Sequence, residues 1–384
     1  MFLIFDPIFL ILAIFGYVIM LILAAYIAPR VANKFVGKFS LYTSMFILGA
    51  MIIFSFSLVI IIVIYAINSL YGQFGPEFLS SLFLNVAILV FISNVIMYLL
   101  SPLIINFLYG AKEDSRIQKL VDEVKEKLNY KGKLKGMITT NFNLPNAFAY
   151  GNFIFGKYVA VTPGMLNLVN EKELRAVIGH EIGHHMHRDN AIMLLFGLIP
   201  SILYFLGYSL IRTSMFSDSE RDSMGGIIPL VLGIFVVAMS FIIQILVLAF
   251  SRLREYFADI EGAKSAGKLN MQTSLAKLHY YYRANLEALE ELKDNKTKTL
   301  LVYAFTQALA NPIADMDDIL DSLDTDSDKE EKKKKKKEKK KEKIKDIEKK
   351  LEEIKNSEVS SIEEFLSTHP PIPKRLRFLD TLPY

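Results

Sequence analysis

Four of the chain's six histidines lie in one eight-residue stretch, His180-Glu181-Ile182-Gly183-His184-His185-Met186-His187. The preceding residues, 171–179, combine strong helix formers with apolar residues at helical spacing, which predicts an amphipathic helix. Positions i and i+4 share one face of a helix, so His180 and His184 can present their imidazoles to one point. Glu181 can then reach a water held at that point. An H-E-x-x-H pattern on a helix indicates a catalytic zinc site in which the glutamate is the general base.

The residue types of the chain restrict how a zinc ion could be held. The 384 residues include no cysteine, which excludes disulfides and thiolate ligands. One Zn²⁺ per chain would therefore be bound by histidine and carboxylate groups. The alternative is a helix that carries histidines without a metal, because a bare H-E-x-x-H also arises by chance. The helical pattern before the stretch favours the metal site.

A catalytic zinc site needs a third protein ligand and leaves its fourth position open. Glu255 is the candidate, in the segment S-R-L-R-E-Y-F-A-D at 251–259. Asp259, one helical turn later, could accept a hydrogen bond from the other ring nitrogen of a ligating histidine. The alternative is an ordinary charged helix at the end of a membrane span. For Asp189, near the end of the histidine helix, we expect a structural contact.

Long apolar runs predict that the chain crosses a membrane five times. A 22-residue helix is ~33 Å long, enough to cross the hydrocarbon core. The first run lacks a basic segment before it and further spans follow, so we expect an anchor and not a cleaved signal peptide. Pro200 could break the fourth span into a kinked or re-entrant segment. The predicted spans are 7–28, 41–67, 82–107, 191–211 and 227–250.

Basic residues are distributed unequally between the links that join these spans. The link at 68–81 contains no Lys or Arg, whereas three basic residues follow the first span and three follow the third. The positive-inside rule then places the N-terminus outside, and the histidine stretch and the C-terminus in the cytoplasm. The six basic residues are Arg30, Lys34, Lys38, Lys112, Arg116 and Lys119.

Between the third and fourth spans, the pattern predicts a small α+β segment. A helix is expected over 114–129, and short β-rich stretches at 136–140 and 157–161. Between these stretches, Asn146-Ala147-Phe148-Ala149 leads into a glycine. This strand could be an ordinary hairpin strand. Alternatively it could be an edge strand that binds an extended peptide substrate beside the histidine helix.

The C-terminal region contains two further features. His369 precedes two prolines and is either a loop residue or a contact to the oxyanion or substrate. The segment from 329 to 355 is rich in Lys and Glu, with 15 Lys, seven Glu and one Asp. It is either a solvated spacer or a contact to membrane lipid. The rest of the chain has no general basic face, so a nucleic-acid partner is not expected.

Several of these motifs together resemble a known family. E-L-R-A-V-I-G-H-E-I-G-H-H, followed by S-R-L-R-E-Y-F-A-D, is similar to the HtpX-like integral-membrane zinc metalloproteases, relatives of the CAAX prenyl proteases. N-A-F-A-Y-G, V-A-V-T-P-G-M-L and the S-T-H-P-P segment also match that pattern, and the resemblance covers roughly 110–270 and 365–380. It implies gluzincin-type peptide hydrolysis, with Glu181 as base and zinc held by His180, His184 and Glu255. Three predicted spans precede the histidine helix, where HtpX proteins typically have two.

We therefore predict a mainly α, multi-span helical membrane protein with a cytoplasmic gluzincin-type α+β metalloprotease domain that carries a small β-sheet. Its expected function is zinc-dependent endopeptidase activity on membrane or misfolded proteins at the cytoplasmic face. The alternatives are a dedicated processing protease of the CAAX or maturation type and a non-catalytic zinc-bound scaffold. Nothing in the sequence sets the oligomeric state. The predicted segments are a membrane region at 1–110, a first catalytic part at 111–190, a transmembrane hairpin at 191–250, a second catalytic part at 251–320, a Lys/Glu-rich insert at 321–360 and a C-terminal catalytic segment at 361–384.

Overall fold

A computed structural model of the chain describes residues 38–71, 76–216, 224–284, 349–357 and 369–383. These residues form two compact units. The first, here called the span unit, comprises the described residues of 38–99 and 191–253. The second, here called the sheet unit, comprises the described residues of 100–190 and of 254–383.

The long helices of the chain are apolar enough to cross a membrane. Among the described residues they are α1 (Lys38–Tyr71), α2 (Pro76–Tyr109), α6 (Asp189–Phe216) and α7 (Met224–Ala266). Their four candidate spans correspond to the predicted second, third, fourth and fifth spans; the predicted first span, 7–28, lies outside the described residues. Pro200 lies inside α6 without ending it. The candidate spans are Leu41–Tyr65, Phe83–Tyr109, Asp189–Arg212 and Pro229–Ala266.

The sheet unit contains a four-stranded mixed sheet. Its strands are β1 (Lys112–Glu113), β2 (Lys135–Ile138), β3 (Ala147–Asn152) and β4 (Gly156–Val161), in the order β1-β2-β4-β3. β2 and β4 are parallel, and the other two pairs are antiparallel. Among the described strands, β3 therefore lies at one edge of the sheet, as the edge-strand interpretation requires.

A tight hairpin joins β3 to β4, and two glycines make it possible. Gly151 and Gly156 have φ angles of 124° and 98°, which L side chains rarely adopt. A Cβ atom at Gly151 would lie 2.2 Å from the Gly156 carbonyl oxygen. The hairpin thus turns through only three residues, 153–155, between its strands.

The sheet unit also contains three helices between β1 and the end of the histidine stretch, and the third of them carries the histidines. They are α3 (Ser115–Lys127), α4 (Pro163–Leu168) and α5 (Glu171–Met186). Asn170 begins α5 with a reciprocal cap: its side chain accepts from the Glu173 N–H, and Glu173 accepts from the Asn170 N–H at 2.8 Å. The apolar faces of α3 and α5 share one core with β4, in which Ile178 and Ile182 are fully buried.

The C-terminal residues complete the sheet unit. Helix α8 (Lys268–Ala284) packs against α9 (Ile372–Asp380), and the Gln272 amide donates to Asp380 Oδ1 at 2.7 Å. Residues 349–356, the end of the Lys/Glu-rich segment, are helical, with Leu351 and Ile354 buried. The Lys355 ammonium lies 2.7 Å from Asp380 Oδ2. The rest of that segment lies outside the described residues. The predicted fold class, a mainly α multi-span membrane protein with a small β-sheet, is confirmed.

Candidate metal centre

Two helices of the sheet unit bring together His180, His184 and Glu255. The histidines lie one turn apart on α5, and the glutamate lies on α7. Gly183, between the histidines, lets the helices approach closely, because a Cβ atom there would lie 3.0 Å from the Ala258 Cα. Each of the three residues offers one ligand atom, and these atoms all lie within 4.8 Å of one another.

The spacing of the three donor atoms fits a zinc ion. The two histidine Nε2 atoms are 3.2 Å apart. The two oxygens of Glu255 each lie near one histidine: Oε2 is 3.6 Å from the Nε2 of His180, and Oε1 is 3.7 Å from the Nε2 of His184. Ligands at 2.0–2.1 Å in a tetrahedral site are separated by about 3.4 Å. Two imidazoles and a carboxylate are also the ligand types that zinc accepts in the absence of thiolates.

The buried carboxylate of Asp259, the candidate hydrogen-bond acceptor of the sequence analysis, lies next to the His180 imidazole. His180 Nδ1 lies 3.0 Å from Asp259 Oδ1, and Asp259 is fully buried. Arg375, on α9, donates to both oxygens of this carboxylate, from Nε at 2.9 Å and from Nη2 at 2.5 Å. Its Nη1 also lies 3.4 Å from Glu255 Oε2. With its proton on Nδ1, His180 presents a bare Nε2 to the centre.

The His184 imidazole has a matching support. Its Nδ1 lies 2.6 Å from Asp189 Oδ2, on the first residue of α6. The other oxygen of Asp189 forms an ion pair with Arg254, which also donates to the His187 carbonyl at 2.7 Å. The structural contact expected for Asp189 is therefore a hydrogen bond to a candidate ligand. His184, like His180, is left with Nε2 as its acceptor.

Three acceptors thus converge at the centre, and this explains the pKa shifts of the metal-free protein. Burial lowers the pKa of His180, but hydrogen bonds to Asp259 and Glu255 outweigh it and raise that pKa to about 9. Burial lowers the pKa of His184. A site that raises the pKa of one of two adjacent imidazoles stabilises positive charge, and it would stabilise a bound cation in the same way.

Glu181 is buried beside this centre, between α5 and the edge strand. Burial raises the pKa of its carboxyl group, while a hydrogen bond from the Ala149 backbone N–H lowers it. The charges of both histidines and of Glu255 act on it as well. A carboxyl group with a raised pKa accepts a proton more readily than an ordinary glutamate does, as a general base must.

The backbone groups of the edge strand that do not pair with β4 lie on the side of Glu181, and one of them, the Ala149 N–H, donates to its carboxyl group. Asn146, directly before β3, accepts from the Thr162 N–H at 3.0 Å and so faces β4. Backbone groups alternate along an antiparallel pair, so those of Ala147 and Ala149 point away from β4. Phe148 and Tyr150 pair with β4.

The remaining histidines have different positions. His369 lies with Nδ1 3.0 Å from Glu255 Oε1, and half of its side chain is exposed. His185 is buried and its Nε2 lies 2.9 Å from the Tyr158 carbonyl oxygen, which ties α5 to β4. Burial lowers the pKa of His185 to about 4, so this imidazole is neutral. The ring of His187 packs against Phe257 at 5.4 Å.

Sequence reasoning missed both arginines of the site. Arg254 belongs to the quoted segment around Glu255, and a buried charge next to a ligand could have been suspected there. Arg375 lies in I-P-K-R-L-R-F-L-D, where nothing distinguishes it from Lys374 or Arg377. Only the packing of α9 shows which of the three is buried.

Comparison with known proteins identifies a family. Residues 111–382 match the model of peptidase family M48. A protein named Protease HtpX homolog from Archaeoglobus fulgidus is 45% identical over 378 residues, which is 98% of each chain. Its namesake from Pyrobaculum aerophilum is 46% identical over 384 residues, the whole of both chains. A crystal structure of Ste24p from S. mikatae is similar over 63% of this chain and 59% of that one, at 18% identity and a TM-score of 0.38. A similarity of that size does not establish a shared fold.

Proposed function

The chain belongs to peptidase family M48, and from this we propose that it is a zinc-dependent endopeptidase acting at the cytoplasmic face of a membrane. The resemblance to HtpX-like proteases is confirmed, and the chain is a membrane protein of a protease family whose substrates are proteins. The observation that carries the proposal is the convergence of three acceptor atoms next to Glu181, each histidine being fixed by its own carboxylate and arginine.

The zinc ion would be held by His180, His184 and Glu255. When bound, it would supply Lewis acidity toward the scissile carbonyl and an attacking water. A group of the protein itself would transfer the protons. Glu181 takes a proton from the water and delivers it to the leaving amine, and its buried carboxyl group is suited to both steps.

The substrate would be held as an added strand. An extended peptide that pairs with the outer edge of β3 would meet the backbone groups of Ala147 and the carbonyl of Ala149, whose N–H donates to Glu181. Because Ala149 donates to Glu181, a peptide on this edge would lie beside the general base. His369, exposed next to Glu255, is placed to contact the substrate or the developing oxyanion.

The proposed substrates are membrane proteins and misfolded chains. Glu255 lies on α7 within the candidate span Pro229–Ala266, so a proposed ligand lies on a membrane-crossing helix. The distribution of Lys and Arg supports a cytoplasmic site. Such a site would receive chains that leave the membrane or meet its inner surface.

The test uses the full chain purified in detergent. Unfolded casein should be cleaved in the presence of zinc, and a chelator should stop the cleavage. Glu181→Gln should abolish cleavage and retain one zinc per chain, measured by elemental analysis. Glu126→Gln, on the exposed face of α3, is the matched control and should keep both properties. Undiminished cleavage by Glu181→Gln would refute the proposed mechanism.

A further inference from the structure

The tip of the β3–β4 hairpin carries three consecutive bulky apolar residues that the protein leaves exposed. Phe153 is 80% exposed, Ile154 54% and Phe155 37%. Single exposed apolar residues are common, but a contiguous group at the end of a narrow hairpin indicates an interaction surface. Residues 136–156 include no Asp, Glu, Lys, Arg or His, and the first charge after the tip is Lys157, whose ammonium donates to the Tyr130 hydroxyl at 3.0 Å.

The hairpin lies along the last turns of α2, within the sheet unit. The Tyr109 ring packs on Phe148 at a centroid distance of 5.1 Å, and the Tyr150 hydroxyl donates to Asn106 Oδ1 at 2.5 Å. As β3 advances from Phe148 to Tyr150, its contact on α2 therefore moves back from Tyr109 to Asn106. The strand and the helix run in opposite directions.

This direction takes the tip toward the membrane-crossing part of α2. The candidate span extends from Phe83 to Tyr109, so Asn106 already lies inside it. Phe153 is three residues beyond Tyr150, or ~10 Å along a strand. On α2 the same distance corresponds to about seven residues, which brings the tip level with the region of Leu100.

The end of α2 offers a continuous apolar surface to the same surroundings. Its exposed side chains in the sheet unit are all apolar and large. They are Leu100, Leu103, Phe107 and Leu108, of which Phe107 is 82% exposed. A helix that enters a bilayer exposes such residues to lipid, and the tip lies beside it at that depth.

Three backbone groups of the tip form hydrogen bonds within the hairpin. The Asn152 side chain accepts from the N–H groups of Ile154 at 3.0 Å and Phe155 at 2.9 Å. The Tyr158 hydroxyl donates to the Phe155 carbonyl at 2.6 Å. A polar backbone group left unpaired in hydrocarbon costs several kcal/mol, so internal pairing of this kind is what insertion requires.

We propose that the hairpin tip, Phe153-Ile154-Phe155, inserts into the lipid bilayer beside α2. The occupant of this apolar surface is lipid, because the surface continues that of a membrane span. One consequence rests on the proposed function: β3 then leads from the bilayer to Ala149 beside Glu181. A substrate segment that leaves the membrane could pair with this strand as it emerges.

The chain contains no tryptophan, which makes a direct test available. Phe153→Trp gives a protein with one indole, to be reconstituted in vesicles of phosphatidylcholine with or without bromine on the acyl chains. Phe107→Trp, on the lipid-facing surface of α2, is the positive control. Leu269→Trp, exposed on α8, is the control for an aqueous indole. We expect the emission of Phe153→Trp to be blue-shifted and to lose intensity in brominated vesicles as that of Phe107→Trp does.

Two results would overturn the proposal. One is a red-shifted emission that bromine leaves unchanged, as for Leu269→Trp, which would place the tip in water. The other is a blue-shifted emission without quenching, which would mean that protein covers the tip. Ile154→Trp repeats the measurement if the first variant does not fold.

The consequence for substrates has its own readout. Replacing Phe153 and Ile154 by Ser should slow the cleavage of a substrate anchored in the bilayer while leaving casein cleavage unchanged. If the wild-type protein cleaves neither substrate, the proposed function fails and the fluorescence result stands. If both substrates are cleaved equally by the Ser variant, the tip has no role in presenting membrane substrates.

Discussion

The two candidate metal-binding histidines are supported by the same chemistry from different parts of the chain. His180 contacts Asp259, and Asp259 forms an ion pair with Arg375, which lies 116 positions later in the chain. Behind His184 stands Asp189, only five residues later, with an ion pair to Arg254. We call these the distant arm and the local arm.

Because of this difference, the supports of the two histidines depend on different helices. The local arm forms where α5 ends and α6 begins: Asp189 is the first residue of α6, and Arg254 lies on α7 next to the candidate ligand Glu255. The distant arm needs α9, which packs on α8 near the end of the chain. Arg375 also lies near Glu255, so α9 influences a second ligand. Zinc affinity is the common scale on which the arms can be compared.

The largest effect should come from removing Glu255, the ligand that faces both arms. Loss of a supporting carboxylate typically costs 10–100-fold in metal affinity, so loss of a direct ligand should exceed about 100-fold. Glu255→Ala should purify without zinc, and competition with a chromophoric chelator measures its affinity. Glu126→Ala controls for the loss of a surface glutamate. Full zinc occupancy in Glu255→Ala would show that the centre is held by other groups.

The second prediction separates the arms by pH. The pKa of His180 in the metal-free protein is about 9, whereas burial lowers that of His184. At neutral pH, His180 is therefore protonated and must lose its proton before zinc can bind. Affinity should rise about tenfold per pH unit, or about 100-fold from pH 6 to pH 8, and level off above about pH 9.

The proton can be followed directly as well. Calorimetry at pH 7.5 in buffers of different ionisation enthalpy should detect the release of one proton for each zinc bound. In Asp259→Asn, where His180 loses the carboxylate that raises its pKa, the release should fall. A pH-independent affinity would contradict this assignment.

The third prediction compares the two carboxylates. Above about pH 9, where His180 of the unchanged protein has lost its second proton, Asp259→Asn and Asp189→Asn should each weaken zinc binding by about 10–100-fold, because the histidine tautomer is no longer fixed. The distant arm should be the more sensitive, since its carboxylate is completely buried and pairs with Arg375 through both oxygens. Asp122→Asn, exposed on α3, is the neutral control. Equal losses would mean that the second hydrogen bond of the arginine adds nothing.

The local parts of this design could be predicted from the sequence, because they follow from periodicity. Apolar runs of sufficient length indicated the spans, and the i, i+4 spacing indicated that His180 and His184 share a face. The candidates Glu255 and Asp259 followed from zinc chemistry, which requires a third ligand and a supporting carboxylate.

What could not be predicted depends on turns and on long-range packing. Asp189 reaches His184 because α5 ends at a turn in which Arg188 has a φ of 55°, and helical spacing does not anticipate such a turn. Arg375 meets Asp259 only through the packing of α9. The exposure of Phe153 at the hairpin tip likewise becomes visible only in three dimensions.

The smallest effect on zinc should come from the arginines, which act through the carboxylates. Arg375→Met should weaken zinc binding by about tenfold, at the lower end of the range for supporting residues, and Arg254→Met by less. Arg375→Met also leaves Asp259 as a buried carboxylate without its cation, and such a loss typically costs 3–5 kcal/mol of stability. Arg254→Met should have the smaller effect, because Asp189 keeps its hydrogen bond to His184 and lies at the start of a helix, where a carboxylate is stabilised.

A double-mutant cycle decides whether Arg375 acts through Asp259. If it does, the combination of Asp259→Asn with Arg375→Met should bind zinc no more weakly than Asp259→Asn alone, and its melting temperature should exceed that of Arg375→Met. Lys374→Met, on the neighbouring position of α9, should leave both measurements unchanged. Additive losses in the double variant would show that Arg375 supports the centre through Glu255 instead, from which its Nη1 is 3.4 Å away.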